Sequence, residues 1–295
     1  MKEFEGKTAF ITGGASGIGL GMARAFLGRG MNVVIADLLQ THIDEVAAEF
    51  HGENRLHFIR LDVAQRADMA AAAAETERVF GKVHVLCNNA GVSQRNAIDV
   101  ATYEDWDYVL GVNLGGTIAG LVEFLPLIKK HGEGGHVVTT SSMAGMIPVP
   151  GFAGIYATSK FAVRGMTDSL RLALAPHRIG ASVLCPGMTK TRAMTAGDLY
   201  RSKQEAGSEQ VERRDTAGFG MDPSEVGLRV VEAIERNDPY IFPHGEFRDE
   251  VRGYFDEMIA AFPEDQEIDP ERKAMEERRA RMTAEQKAAA AAIDG

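Results

Sequence analysis

The chain has 295 residues, 45% of them hydrophobic, and a formal net charge of -10. That length suffices to bury a large core in one domain or two, and the acidic balance argues against nucleic acid as a general partner. Met1 to Gly6 lack the apolar stretch of a signal peptide, and no uninterrupted run approaches the ~18 apolar residues of a membrane span, so a soluble cytoplasmic protein is expected.

Thr8 to Thr12 forms an apolar strand-like run, followed by a glycine-rich turn and a stretch from Ile18 at helical spacing. Val33 to Asp37 follows the helix stop Arg29-Gly30 and completes a strand, helix, strand unit. The pattern continues with a helix from Thr41 to Phe50, a strand from Leu56 to Leu61, a helix from Arg66 to Phe80 and a strand from Val83 to Asn88. A long helix is predicted from Glu104 to Lys130, then a strand from His136 to Thr140, a helix carrying Tyr156 to near Arg178, and a strand from Ala181 to Cys185. Short apolar strands alternating with helices predict an α/β fold, a doubly wound, Rossmann-like parallel sheet covered on both faces.

No linker divides the chain, so one domain is expected over residues 1–245, with a helical extension over 246–295. The last strand is placed at Tyr240 to Phe242, and the extension contains an amphipathic piece, Phe247 to Phe262, and a charge-dense piece, Glu271 to Ala292. The segment Ala193 to Phe219 is charge-rich and without a strand pattern; it is read either as a cover over a ligand or as a surface helix pair. Cys87 and Cys185 each end an apolar run, which suits small buried hydrophobes in a reducing setting and makes neither a disulfide framework nor a metal quartet; no metal is expected.

Gly13, Gly14, Ala15, Ser16, Gly17, Ile18 and Gly19 lie between the first strand and the first helix. Backbone without side chains approaches a pyrophosphate closely, and a helix N-terminus supplies unpaired N–H groups and a positive dipole end. Asp37 ends the second strand about twenty residues on, where a carboxylate accepts from an adenosine ribose and repels a 2′-phosphate. No basic residue stands at Ser16 or Leu38, so NAD is preferred over NADP. Asp62-Val63 and Asn89-Ala90-Gly91 follow the third and fourth strands and face the same crevice beyond the strand ends.

Tyr156 and Lys160 are four apart on a predicted helix and share a face. A unit positive charge ~5 Å from a phenol at an effective dielectric of ~20 favours phenolate by ~3 kcal/mol, roughly two pKa units. Tyr156 is thereby expected to exchange a proton with a substrate hydroxyl near neutral pH.

Together the glycine motif, Asn88 to Gly91, Asn113, Ser141-Ser142, Tyr156 with Lys160, and Pro186-Gly187 resemble the short-chain dehydrogenase/reductase family over roughly residues 4 to 242. The resemblance implies Tyr156 as general acid or base, Lys160 on the nicotinamide ribose, Ser142 on the substrate oxygen and Asn113 holding a relay water. Either serine of Ser141-Ser142 remains open; Ser142 matches best, with one residue more than usual before Tyr156, which the loop Met146 to Ile155 absorbs. Pro186-Gly187-Met188-Thr189-Lys190-Thr191 resembles the family's nicotinamide clamp, implying contacts from Thr189 backbone and the Thr191 hydroxyl. Homodimers or homotetramers are also what the family implies.

A narrower resemblance, through Phe10 to Gly17, Gly111 to Gly116, and Tyr240 to Pro243 with Glu246-Phe247, is to the bacterial Cα-dehydrogenases, which oxidise the benzylic alcohol of lignin-derived β-aryl ethers with NAD. The expected substrate is a small-molecule secondary alcohol or its ketone, bulky or aromatic. Met143, Met146, Ile147, Val149, Phe152, Met188, Met194 and Met221 are the candidate pocket residues; core packing accounts equally well for several of them. The alternatives are a steroid or other bulky-alcohol dehydrogenase, a 3-oxoacyl thioester reductase, and a non-catalytic dinucleotide-binding scaffold.

Overall fold

The computed structural model describes residues 1–93, 96–191, 220–264 and 266–293. Seven strands form one sheet: β1 (Thr8–Thr12), β2 (Asn32–Asp37), β3 (Leu56–Arg60), β4 (Val85–Asn88), β5 (Gly135–Thr140), β6 (Ile179–Leu184) and β7 (Tyr240–Ile241). Their order is β3-β2-β1-β4-β5-β6-β7 and every pairing is parallel. The expected doubly wound sheet is therefore present, and its order reverses between β1 and β4, where such sheets open a crevice at their carboxyl ends.

Alternating side chains feed two cores. Ala9, Ile11, Val33, Ile35, Val85 and Cys87 point to one face, while Phe10, Val34, Ala36 and Leu86 point to the other. The first face is covered by α1 (Gly17–Gly28) and α7 (Pro223–Arg236). These two helices touch through glycines: a Cβ on Gly227 would lie 2.2 Å from Gly21 O, and one on Gly21 2.0 Å from Pro223 O. The second face takes α3 (Arg66–Phe80), α5 (Gly116–Lys130) and α6 (Gly154–Leu174), with the ring of Phe124 in α5 packed against that of Phe10 at a tilt of 30°, 4.1 Å between ring centres. The remaining helix before the crossover, α2 (Gln40–Glu49), follows β2 and buries His42, Ile43 and Val46.

The helix expected from Glu104 to Lys130 is interrupted. It comprises α4 (Tyr103–Leu110), a π turn (Gly111–Gly115) and α5. The π turn places one extra residue in the ladder and presents Asn113 inward. Tyr103–Lys130 is long and apolar enough to cross a membrane by length and composition, yet Phe124 and Ile128 are fully buried against the sheet. Smaller differences are that α6 ends at Leu174 before a 3-10 turn, and that Phe242 lies beyond β7.

After a turn at Gly245–Phe247, the extension consists of α8 (Arg248–Ala260) and α9 (Pro270–Ala291). Val251, Tyr254 and Phe255 of α8 pack on Met143, Met146, Ile147, Val183 and Cys185, so the extension backs one wall of the crevice. Along α9 only Ala290 is buried; its carbonyl accepts from Asn237 Nδ2 at 2.9 Å and Arg171 Nη2 at 3.4 Å.

Candidate active site

A cleft of about 530 Å³ lies at the carboxyl ends of β1, β2, β4, β5 and β6. At one end the chain leaves β1 through Gly13 with φ +62° and enters α1 at Gly17 with φ +50°, the left-handed region that favours glycine. A Cβ on Gly19 would sit 2.0 Å from Gly13 O, and one on Gly17 2.9 Å from the Thr191 side chain. Ser16, at the N-cap of α1, makes no side-chain capping bond, so the first-turn N–H groups of α1 are available to an anion.

Asp37 is buried, and its carboxylate accepts from Ala15 N at 3.1 Å and Leu39 N at 3.2 Å. Leu38, Asp62 and Val63 line the cleft beside it, as do Asn89, Ala90 and Gly91. Thr12 Oγ1 accepts from Asn89 N at 2.9 Å and Ala90 N at 3.0 Å, and Asn89 Nδ2 donates to Thr12 O at 3.1 Å, which ties β1 to β4 below the glycine turn. Among the described lining residues Lys160 is the one lysine, and there is no arginine. A glycine cradle, helix N–H groups, a carboxylate at the end of β2 and no described lysine or arginine lining that end fit NAD.

At the other end Tyr156, Ser142 and Lys160 converge. Lys160 is buried, its Nζ donates to Thr140 O at 2.8 Å, and it lies 5.4 Å from the centre of the Tyr156 ring. The shared face predicted from the four-residue spacing is therefore present. The predicted direction of the tyrosine's acidity is not: burial raises Tyr156 above the ordinary phenol value, and its hydrogen bond with Ser142 only opposes that rise. Burial also lowers Lys160 to about 8, so its charge beside the phenol is lost above that value.

The two serines separate by their partners. Ser141 is buried and donates to Lys160 O at 2.8 Å, which pins α6 to the end of β5. Ser142 is half-buried, accepts from Ala144 N at 3.1 Å and meets Tyr156. Asn113 lies behind the wall and is not a lining residue. Its Nδ2 donates to Ser159 Oγ at 2.9 Å and Val92 O at 3.0 Å, while its Oδ1 accepts from Val92 N at 2.8 Å. A Cβ on Gly91 would lie 3.3 Å from both Asn113 Oδ1 and Lys160 Nζ, so these two groups flank one point.

Pro186, Gly187, Thr189 and Thr191 line the cleft between the two ends, together with Met143, Phe152 and Met188. Phe152 and Met188 are exposed at the rim, and Met146 and Ile147 belong to the core beneath it. Met221 bridges to Thr189, and Met194 lies outside the described residues. Ala15 and Gly19 shape the turn without lining the cleft. Sequence reasoning missed His42, Val92, Tyr108 and Phe247, all of which line it. Of these, Phe247 had a signal, since it opens the amphipathic piece already singled out.

Away from the cleft, His84, His131 and Glu133 bring three ligand-type atoms within 4.8 Å of one another. Both rings are already committed. Nδ1 of His84 accepts from Thr8 N and its Nε2 faces Glu133 Oε2; Nδ1 of His131 accepts from Glu133 N and its Nε2 faces Val83 O. No ring lone pair is left for a cation.

The family model for short chain dehydrogenase matches residues 7–199. A C alpha-dehydrogenase from Sphingobium sp. (strain NBRC 103272 / SYK-6) is 35% identical over 280 residues, covering 92% of this chain and 91% of its own. A short-chain dehydrogenase structure from Novosphingobium aromaticivorans is 40% identical with a TM-score of 0.85, covering 98% of this chain and 100% of that one. A short chain dehydrogenase/reductase from Burkholderia phymatum, solved in complex with NAD, is 29% identical with a TM-score of 0.82, covering 91% and 100%. With the family model over residues 7–199 and a relative 35% identical across 92% of the chain, the chain belongs to the short-chain dehydrogenase family.

Proposed function

We propose that the protein is an NAD-dependent dehydrogenase that interconverts a bulky aromatic secondary alcohol and its ketone. The observation that carries this reading is the meeting of Tyr156, Ser142 and Lys160 at one end of a cleft whose other end is a glycine-lined helix N-terminus. NAD bound there supplies the hydride acceptor. In oxidation the C–H electron pair of the alcohol would leave as the hydride that this acceptor takes up, and Tyr156 takes the hydroxyl proton. Ser142 orients the substrate oxygen and stabilises it as it becomes a carbonyl. Lys160 would hold the nicotinamide ribose, and its charge favours the phenolate electrostatically. Asn113 and Val92 fix the wall behind Lys160.

Tyr108, Phe152 and Phe247 add three aromatic side chains to the lining of the cleft, as Met143 and Met188 add two thioethers. Aromatic faces and thioethers suit an aryl group more than a linear acyl chain. The relative named a C alpha-dehydrogenase supports a benzylic alcohol of the β-aryl ether type. A cytoplasmic location belongs to this reading, with burial keeping both Cys87 and Cys185 as protonated thiols. So does association of two or four copies, for which Ile118 and Val122 stand exposed on α5. Initial rates for a panel of aryl secondary alcohols, run with NAD and with NADP and read by nicotinamide absorbance, test the proposal. Faster turnover of linear 3-hydroxyacyl thioesters than of every aryl alcohol would refute it.

A further inference from the structure

His244 follows β7 and is 5% exposed. Its Nδ1 lies 3.0 Å from Gly187 N and its Nε2 lies 2.9 Å from Met188 O. An amide N–H only donates and a carbonyl only accepts, so the two contacts define a neutral imidazole with its proton on Nε2. The ring thus spans Gly187, the residue of this stretch with the greatest backbone freedom.

From the opposite side Met221 N donates to the same Met188 carbonyl at 2.9 Å, and Lys190 N donates to Met221 O at 3.0 Å. Packing adds to the bonds. A Cβ on Gly187 would lie 2.6 Å from Phe247 Cε2 and 3.1 Å from His244 Cγ, and the His244 and Phe247 rings meet edge to face at 6.4 Å. Gly187, Met188, Thr189 and Phe247 line the cleft, whereas His244 stands behind them.

We propose that His244 is a positioning residue for the dinucleotide: its imidazole holds Gly187 and Met188 in the backbone geometry that meets the nicotinamide end, and joins that loop to the first turn of the extension. The proposal rests on the NAD reading above. Without the ring, Gly187 N loses its acceptor, Met188 O keeps only Met221, and the loop samples conformations that NAD must then select against.

The test compares His244→Leu, which fills the space without hydrogen bonds, with His244→Asn, whose Oδ1 takes the place of Nδ1. Amide exchange at Gly187 is followed by NMR without cofactor, and the Kd for NADH is measured by fluorescence titration. His244→Leu is expected to speed Gly187 exchange and to weaken NADH binding, each by about tenfold, while His244→Asn restores most of both. Two results overturn the proposal: wild-type exchange and Kd in His244→Leu, or equal losses in both variants, which would reduce the ring to packing. Wild-type protein that fails to bind NADH would sink the NAD reading instead, and the Gly187 exchange rates would still decide whether His244 holds the loop.

Discussion

Lys160 Nζ lies 5.4 Å from the centre of the Tyr156 ring while donating to the Thr140 carbonyl at 2.8 Å. The carbonyl holds the ammonium at a set height above β5, so its charge acts on the phenol from a nearly constant distance. Burial works against both groups, raising the phenol and lowering the ammonium to about 8.

Lys160→Met therefore has a pH signature. The lysine carries charge below its pKa of about 8 and loses it above, so its help to the phenolate is greatest below that value. The pH profile of kcat/KM for alcohol oxidation should show the variant slower by about tenfold or more at neutral pH, with the gap narrowing as the solution becomes alkaline. A constant gap across the profile would mean that the lysine acts only by binding.

Asp37 faces the cleft from the end of β2 with both oxygens held by Ala15 and Leu39 backbone. Asp37→Asn removes the charge while an oxygen remains for the turn. The ratio of kcat/KM with NAD to that with NADP should fall by about tenfold, since the repulsion of a 2′-phosphate disappears with the carboxylate. An unchanged ratio would take the selectivity away from Asp37.

Gly227 lets α7 lie directly on α1. In Gly227→Ala the new methyl meets Gly21 O at 2.2 Å in the native geometry, and overpacking of this kind costs about 1–3 kcal/mol. The gain of roughly 0.5–1 kcal/mol from replacing a helical glycine offsets part of that. Thermal unfolding should show a lowered Tm, with the NADH Kd changed much less because neither Gly21 nor Gly227 lines the cleft.

His136 is buried in β5 beside Ser182, 2.8 Å from its Oγ, and burial lowers it from 6.5 to about 3. In the unfolded chain the ring takes up its proton at the higher value. The contribution of this histidine to stability is thus complete above pH 6.5 and is lost as pH falls toward 3, at up to ~1.4 kcal/mol per pH unit. Denaturant unfolding of His136→Asn across that acid range should show a shallower loss of stability than the wild type.

The strands were legible because the side chains of Ala9 to Ile11 and Val33 to Ala36 enter packed cores: Phe10 and Ile11 point to opposite faces and both are fully buried. The glycine turn, Asp37 and the Tyr156 helix were legible because their chemistry depends on spacing along one chain. The π turn was not: Gly111, Gly115 and Gly116 weaken a helix locally without saying how its ladder shifts, and Asn113 is turned inward by bonds to the distant Val92 and Ser159. The direction of the Tyr156 shift was misjudged for a related reason. Spacing sets the distance to Lys160, whereas desolvation depends on what the rest of the fold lays over the ring. Sequence favoured Ser142 without excluding its neighbour, and the two separate once the Lys160 carbonyl accepts from Ser141.

The proton transfer assigned to Tyr156 is tested most directly by Tyr156→Phe, which removes one oxygen. Oxidation of an aryl secondary alcohol with NAD should fall by at least about a hundredfold, while fluorescence titration gives an NADH Kd close to that of the wild type. Turnover within a few-fold of the wild type in that variant would contradict the account.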